Sequence, residues 1–295
     1  YLSISNEQKY ILKKAMVYNN LASIFFLESD FDKAATYYHE ALNLYEKFAP
    51  ICQAKIARTN YNLALILDNK NEHAFTAERL DFFVEENAKL ELFFCNPLQN
   101  HSLQFRHVRI VAAAKASIKI LCLQENTGCY RQSFDLFLNG EDSTVDFRLL
   151  NQLKGETEAH YHLTIHHNAP HTKNNQFVRQ ILNGKSHVSY DGAVHVEKDC
   201  TEVNSAQLIN SILLSEEAKV SVKPVLKIYH DDVECTHGNT CGELDAESLY
   251  YLQSRGIDAK KAEEILLLNF ASEVFSDLES SIGRERILHI LANKN

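Results

Sequence analysis

The chain has 295 residues, of which 45% are hydrophobic and 23% charged, the composition of a globular protein of one or two domains. The formal net charge of −9 argues against a nucleic-acid groove or an anionic membrane as the main partner. No segment approaches the ~18 consecutive apolar residues of a membrane span. The N-terminal run YLSISNEQKY lacks the basic and then apolar layout of a signal peptide.

Cysteine usage indicates the cellular compartment. The chain has seven cysteines, an odd number, without framework spacing and without a C-x-x-C pair. This pattern is typical of free thiols in a reducing compartment, and it argues against a zinc ribbon or a thioredoxin-type motif. The sequence therefore predicts a cytoplasmic protein.

Residues 1–80 are predicted to form a helical arm. Small and aromatic residues recur there at the spacing of the tetratricopeptide consensus, in which small side chains let two helices pack closely: Tyr18, Leu21, Ala22, Phe25, Ala34, Tyr38 and Ala41. A weaker second unit repeats this pattern at Asn60, Leu63, Ala64 and Leu67. Two units are fewer than the roughly three that such arrays need. A plain helical hairpin that leans on the next domain or on a partner is therefore favoured.

Residues 81–240 have the two-residue period of β-strands. Short alternating runs such as FFVEENAKLELFF, STVDFRLLNQL and AHYHLTIHH are separated by turns rich in Asn, Gly, Asp and Lys. Asn-Gly and Asp-Gly pairs, which favour two-residue hairpin turns, occur at residues 139–140, 183–184 and 191–192. Strands at this spacing, with no long helix between them, predict a sandwich, a barrel or a stacked β-helix. The pattern alone does not choose among the three.

Residues 241–295 are predicted to form a C-terminal helical domain. Asp245 is a predicted N-cap for a helix through Arg255, with Gly256 in the left-handed position that follows. Asp258 is predicted to cap a longer helix, from 259 to about 278. The apolar side of that helix carries Ile265, Leu266, Phe270, Val274, Phe275 and Leu278. The helices cannot cover all of these side chains, so a docked partner or the strand domain is expected to cover the remainder.

Cys235 and His237 are the sharpest chemical candidates. On a strand, residues i and i+2 point to the same side, with backbone positions about 6–7 Å apart. A thiol and an imidazole so placed suit two ligands for iron or copper, or a thiolate activated by its neighbour. Cys241 lies close enough in the sequence to add a third ligand. From these residues alone, an exposed pair without a role is the other interpretation.

A histidine-rich strand is the second candidate. His160 and His162 share one strand face and are weak candidates for zinc or iron ligands, because Glu156 and Glu158 lack the spacing expected of a carboxylate ligand. The chain has 14 histidines, and stacked, hydrogen-bonded strand histidines are the favoured interpretation. The motifs of phosphate-binding loops, nucleophile elbows, dinucleotide-binding turns and zinc proteases do not occur. No catalytic constellation is predicted.

The stretch from Lys223 to Ile257 resembles the signature of the SufB/SufD family, the scaffold proteins of the SUF iron–sulfur cluster assembly machinery. The resemblance is nearer to the SufD-like members and rests on Asp231-Asp232-Val233, Cys235-x-His237-Gly238, Gly242-x-x-Asp245 and the run YLQSRGI. Upstream, HHNAPHTKNNQFVRQILNGKSHVSYDGAVHV and NSAQLINSILLSEEAKVSVKP also resemble the core of the family. The likeness covers about residues 81–295, and the first 80 residues depart from it.

This resemblance implies a mainly β protein with helical ends, built on a right-handed parallel β-helix, which is not an enzyme. It implies pairing with a SufB-like paralogue, and docking of a SufC-like ABC-type ATPase through Leu266, Phe270 and Val274. Cys235 then corresponds to the interface cysteine, and His237 to a candidate ligand of a transient iron–sulfur cluster shared between the subunits. The alternative hypothesis is a free-standing β-helix enzyme or metal-binding module that uses the histidine-rich strand.

Overall fold

A computed structural model describes residues 6–27, 31–47, 75–96, 103–125 and 128–275 of the chain. The chain divides into two compact units, Tyr1–Ala74 and Phe75–Asn295. The first strand begins at Phe75, somewhat before the predicted start of the strand region at residue 81. The predicted three-domain division, at residues 80 and 240, stays a prediction.

Two helices make up the described part of the first unit: α1 (Asn6–Leu27) and α2 (Phe31–Glu46). They pack through two buried clusters of alanines and tyrosines, which are Ala22, Ala34 and Tyr38 in one, and Ala15, Ala41 and Tyr45 in the other. Alanine at the contact lets the helices approach closely, as predicted. The second predicted repeat, residues 60–67, lies outside the described residues, so the tetratricopeptide-like character of the arm stays a prediction.

The described part of the second unit contains twelve strands followed by helices. The strands are β1 (Phe75–Val84), β2 (Lys89–Asn96), β3 (Leu103–Ala112), β4 (Ser117–Glu125), β5 (Cys129–Leu138), β6 (Thr144–Leu153), β7 (Glu158–His167), β8 (Lys173–Leu182), β9 (His187–Val196), β10 (Val203–Leu213), β11 (Lys219–Ile228) and β12 (Val233–Gly242). The strands are 8 to 11 residues long.

The strands alternate between two parallel sheets, one of odd-numbered strands in the order β1-β3-β5-β7-β9-β11 and one of even-numbered strands in the order β12-β10-β8-β6-β4-β2. The chain therefore winds from one sheet to the other and back, and each coil stacks on the one before. His160, for example, pairs in register with Ser189, which follows 29 residues later. The parallel β-helix is thereby confirmed, and a sandwich or barrel of antiparallel hairpins is excluded.

The Asn-Gly and Asp-Gly pairs are not hairpin turns, so that prediction was wrong. Gly184 lies at a corner between the two sheets with φ of +69°, and an added Cβ would lie 2.9 Å from the backbone nitrogen of Gly155. At the corner containing Gly140, an added Cβ would lie 1.9 Å from the backbone nitrogen of Ala114. Gly192 lies within strand β9. Glycine is needed at these corners because stacked coils approach closely, and at Gly184 also because the backbone is in the left-handed region.

Inward and outward side chains alternate along the strands, and the inward ones fill the β-helix. In β9, for example, every second residue is buried. Phe134 packs edge-on against Phe147 of the opposite sheet, with ring centroids 5.1 Å apart. Part of the interior is polar, since the Tyr190 hydroxyl and the Gln207 amide both donate to Gln176 Oε1 at 3.0 Å. The buried hydrogen bonds offset the cost of placing these groups in the interior.

The tail is helical, with three short elements: α3 (Ala246–Ser254), α4 (Ala259–Ser272) and a one-turn 3₁₀ helix (Glu273–Phe275). Asp245 and Asp258 are the N-caps as predicted, accepting hydrogen bonds from Ser248 N at 2.9 Å and Lys261 N at 3.0 Å. Gly256 follows α3 with φ of +85°, as predicted. Among the helices that the structure describes, none is long and apolar enough to cross a membrane.

Helix α4 packs on the outer face of the even-numbered sheet. Its end and the 3₁₀ turn form one buried cluster with side chains of strands β4, β6 and β8, made of Leu121, Leu123, Leu150, Ile181, Ala271, Val274 and Phe275. At the same junction Arg148 Nη1 donates to the Val274 carbonyl at 3.1 Å, and Arg179 pairs with Glu273 at 2.6 Å. The β-helix therefore covers part of the apolar side of α4. Leu278 lies outside the described residues.

Candidate functional site

Within the described residues the β-helix ends in a coil formed by β11 and β12, which we call the last coil. These strands are the outermost in their sheets, and each has a described strand neighbour on one side only. Their inward positions continue the ladders of the preceding coil, with Leu226 opposite Val194 and His237 opposite Gln207. Val194 and Gln207 are buried, whereas the inward side chains of the last coil are half-buried or exposed. This end presents interior positions at the surface.

Cys235 lies on β12 in register with the buried Ser205. It is half-buried and packs against an apolar cluster formed by Val194, Val196, Cys200, Val203, Leu226 and Val233. Burial raises the pKa of the Cys235 thiol. A metal that binds this sulfur must therefore displace a proton from it.

His237 follows two residues later, on the same side of the strand, and is exposed. The residue beneath it in register is Gln207, whose Nε2 donates to Gln176 Oε1 at 3.0 Å and to the Gly192 carbonyl at 3.2 Å. Gln207 Oε1 is buried and has no hydrogen-bond partner within the described part of the chain. The imidazole therefore lies over the polar part of the interior, whereas Cys235 lies over the apolar part.

The last coil provides soft ligands but not a complete coordination sphere. Cys241, on the same strand, is an exposed free thiol. In the part of the chain that the structure describes, no group of three or more potential metal ligands includes Cys235, His237 or Cys241. Any cluster bound here would need further ligands from outside these residues.

The three residues predicted to dock an ATPase differ in their exposure. Val274 is fully buried against the β-helix. Phe270 is partly buried against the same cluster, and the Arg179 guanidinium lies 5.0 Å from its ring centroid. Leu266 is half-buried on α4. Phe270 and Val274 thus attach α4 to the β-helix, and the docking role of the three residues stays a prediction.

Other apolar side chains of the tail are more exposed. Tyr250 and Tyr251 on α3 are 73% and 58% exposed, and Ile265 and Leu268 on α4 are 37% and 45% exposed. No residue of α3 is buried. Tyr251 entered the prediction only as part of the family motif YLQSRGI, and neither tyrosine was predicted to be an exposed surface residue. Their adjacency was the available signal, because adjacent residues of a helix do not share one face.

His160 and His162 differ in their contacts. His160 Nδ1 lies 2.8 Å from Ser189 Oγ, and its Nε2 lies 3.3 Å from Glu158 Oε2. His162 Nε2 instead lies 3.3 Å from the Thr164 hydroxyl, two residues further along the same strand. A group of three potential metal ligands contains His160 together with Glu158 and Cys129, but not His162. This group was not predicted from the sequence, because Cys129 belongs to the preceding coil.

The other strand histidines are stacked or hydrogen-bonded. The His166 ring stacks on Phe137 at 4.6 Å, and burial together with the nearby His195 lowers the pKa of His166. His167 is buried between Thr172 Oγ1 and Asn174 Nδ2, each 2.7 Å from a ring nitrogen. Burial lowers the pKa of His167 to about 4. These contacts agree with the stacked, hydrogen-bonded arrangement that was favoured for the histidine-rich strand.

The fold and this end of the molecule define a parallel β-helix protein with an open last coil and a helical tail. The model of the SUF system FeS cluster assembly SufBD core domain matches residues 55–270. The chain belongs to this family, of which it is a SufD-like member.

Several proteins of other organisms are similar to this chain. The iron–sulfur cluster assembly protein SufD of Escherichia coli is 29% identical over 217 residues, which are 72% of this chain and 51% of that protein. The chloroplastic protein ABCI7 of Arabidopsis thaliana is 28% identical over 211 residues, 70% of this chain and 44% of that protein. A SufBD family protein of Synechocystis is 27% identical over 208 residues. The chain spans about half the length of these relatives.

Proposed function

We propose that this chain is a non-catalytic scaffold subunit that pairs with a SufB-like paralogue through the last coil and docks a SufC-like ABC-type ATPase on its helical tail. Membership of the SufBD family supports a role in iron–sulfur cluster assembly. One observation carries the pairing: β11 and β12 end their sheets among the described strands, and interior positions are exposed there.

The chemistry of a strand edge supports a β-helix as the partner. An edge strand offers a row of backbone N–H and C=O groups that a strand of another chain can pair with. The inward positions Val220, Val222 and Leu226 are half-buried on β11, so apolar surface is available to a partner that caps this end. A paralogue with the same coil geometry would extend both sheets and cover these side chains together.

The iron–sulfur cluster is proposed as a transient cargo of this interface. Cys235 and His237 would contribute a thiolate and an imidazole, both of which are ligands of iron–sulfur clusters. No group of three ligands in the described residues includes them, so the paralogue would supply the others. A cluster site divided between two subunits is complete only while the subunits are paired, which suits assembly followed by release.

The ATPase is proposed to dock on the exposed side of the tail. Leu266, with Ile265 and Leu268 beside it on α4, would form this surface together with the two exposed tyrosines of α3. Phe270 and Val274 would contribute indirectly, by holding α4 on the β-helix. Substituting Leu268 with Asp is therefore a cleaner test of docking than changing Phe270, because Leu268 is exposed and Phe270 packs on the core.

We also propose the cytoplasm as the compartment. Five cysteines in the described residues are free thiols: Cys122, Cys129, Cys200, Cys235 and Cys241. An exposed free thiol such as Cys241 is compatible with a reducing compartment. The Arabidopsis relative is named as chloroplastic, so localisation of the tagged chain in its own organism is the direct test.

The experiment that tests the proposed function is co-expression with SufB-like and SufC-like proteins. The complex should co-purify, and His237→Ala should abolish transfer of a cluster to an apo-acceptor protein while leaving the complex intact. Thr236→Ala is the matched control, since Thr236 lies on the opposite side of the same strand. Failure to form any complex contradicts the scaffold role, and unchanged transfer by His237→Ala removes His237 from the mechanism.

A further inference from the structure

A second group of metal-binding side chains lies on the outer face of the odd-numbered sheet. Cys129, the first residue of β5, pairs in register with Glu158, the first residue of β7, and His160 follows two residues later on the same face. Cys129 Sγ, a carboxylate oxygen of Glu158 and a ring nitrogen of His160 lie within 4.8 Å of one another. Among the described residues, this is the one group of three such ligands.

His160 is held in the orientation of a metal ligand. Its Nδ1 lies 2.8 Å from Ser189 Oγ on β9, and its Nε2 lies 3.3 Å from Glu158 Oε2. In protein metal sites, the ring nitrogen that does not bind the metal commonly donates its proton to an oxygen, which fixes the tautomer and the ring. If Nδ1 donates to Ser189, the Nε2 lone pair faces a carboxylate oxygen. A metal ion placed between these two acceptors would bind both.

A neighbouring ring limits the movement of the His160 imidazole further. The His187 ring lies nearly perpendicular to it, with ring centroids 5.6 Å apart and an interplanar angle of 88°. The side chains come from central strands, whose backbones are paired on both sides. Because rigid strands and a hydrogen-bonded partner position His160, little conformational freedom would be lost when a metal binds.

We propose that Cys129, Glu158 and His160 bind a divalent first-row metal ion of the zinc class. One sulfur, one oxygen and one nitrogen ligand fall within the set that zinc uses. Metal–ligand bonds of about 2.0–2.3 Å place the ligand atoms roughly 3.5 Å apart, so small side-chain rotations close the observed group. Three protein ligands leave a fourth position, and the Glu158 side chain is 51% exposed, so water or a small ligand reaches it.

One positively charged residue lies on the same face as this site. Arg131 pairs in register with His160 on the preceding coil and lies on the same outer face. The charge of its guanidinium repels a metal ion bound on this face. Arg131→Gln is therefore expected to increase the affinity for zinc by about threefold, a small effect because the site is partly solvated.

This site goes beyond the proposed scaffold function and does not depend on it. It uses outward-facing residues of central strands, shares no residue with the last coil and requires no partner subunit. Metal binding here links the starts of β5 and β7 and leaves one coordination position for an exchangeable ligand.

The test is zinc binding to the full chain carrying Cys235→Ser and His237→Ala, so that these two residues contribute no ligand. Competition with a chromogenic zinc chelator should show one equivalent bound. Adding Cys129→Ser or His160→Ala to this background should each weaken binding at least about tenfold. His162→Ala is the matched control, since His162 lies on the same face of the same strand but outside the group, and it should leave the affinity unchanged.

Cobalt replaces zinc for a spectroscopic measurement of the same site. Bound Co²⁺ should give a sulfur-to-cobalt charge-transfer absorption that Cys129→Ser abolishes and His162→Ala retains. Circular dichroism should show the same β content in every variant. The site is overturned if the background protein binds no stoichiometric zinc, or if Cys129→Ser and His160→Ala both retain full affinity. Because the background lacks Cys235 and His237, either failure leaves the interface proposal standing.

Discussion

The coil of β9 and β10 and the last coil follow the same alternation of inward and outward residues, yet they differ in burial. Every inward residue of β9 is buried, whereas the inward residues of β11 are half-buried or exposed. Pro224 lies on β11 opposite Gly192, and proline, which cannot donate a backbone hydrogen bond, is tolerated on edge strands. Sequence pattern thus sets the direction of each side chain, but the burial of a coil depends on the coil stacked upon it.

The largest expected difference between inner and last coils concerns large apolar residues. Phe134→Ala removes a fully buried ring that packs between the sheets and should lower the free energy of unfolding by about 3–5 kcal/mol. Leu226→Ala in the last coil removes a half-buried side chain and should cost roughly half as much as a buried leucine. Urea denaturation of both variants measures this difference. Equal losses would mean that the last coil is as well covered as the inner ones.

The second prediction concerns His167, a buried histidine of the inner coils, and the pH dependence of the unfolding free energy. The folded-state pKa of His167 is lowered from 6.5 to about 4 because the ring is buried. As the pH falls, the unfolded chain therefore binds a proton at this histidine before the folded chain does. The stability that the neutral His167 contributes is fully present above pH 6.5 and is lost progressively towards pH 4. The loss amounts to about 3 kcal/mol, at about 1.4 kcal/mol per pKa unit.

Replacing His167 tests this dependence. His167→Gln lacks the titrating group, so the difference in unfolding free energy between the wild type and the variant should shrink as the pH falls from 6.5 to 4. Above pH 7 the difference should be constant. Urea denaturation at a series of pH values measures it. A difference that does not change with pH would show that His167 is not kept neutral by burial.

The smallest of the three differences concerns two glycines. Gly140→Ala places a Cβ 1.9 Å from the Ala114 backbone in the adjacent coil, so two coils must separate and the unfolding free energy should fall by about 1–3 kcal/mol. Gly242→Ala, at the end of the last coil, meets no atom within 4 Å and should change stability little. Thermal unfolding of the two variants compares them, and a loss at Gly242 as large as that at Gly140 contradicts the open end.

Residue patterns predicted the strands and helices, whereas the parallel β-helix was predicted only through the family resemblance. Alternation identified the strands, and the caps Asp245 and Asp258 were correct because a cap depends on a few adjacent residues. Local pattern could not distinguish parallel coils from hairpins, because Gly184 has the same dipeptide context in either case. Gly192 lies within β9. The need for glycine at this position depends on how the coils stack, and a short sequence segment does not show that stacking.

The two candidate sites show the same limit. Cys235 and His237 are two residues apart on one strand, so their spacing alone predicts that they share a side. Cys129 and His160 meet only because consecutive coils stack in register, and their separation along the chain gives no local signal. The packing of Val274 on the β-helix was likewise unavailable to periodicity, which identifies an apolar helix face but not what covers it.

The most direct test of the proposed scaffold role is hydrogen–deuterium exchange of the chain alone and in complex with a SufB-like paralogue. The account predicts that amides of β11 and β12 exchange readily in the isolated chain and become protected on pairing, while those of β5 to β8 remain protected in both states. A stable complex in which β11 and β12 gain no protection would contradict the claim that the last coil is the pairing surface.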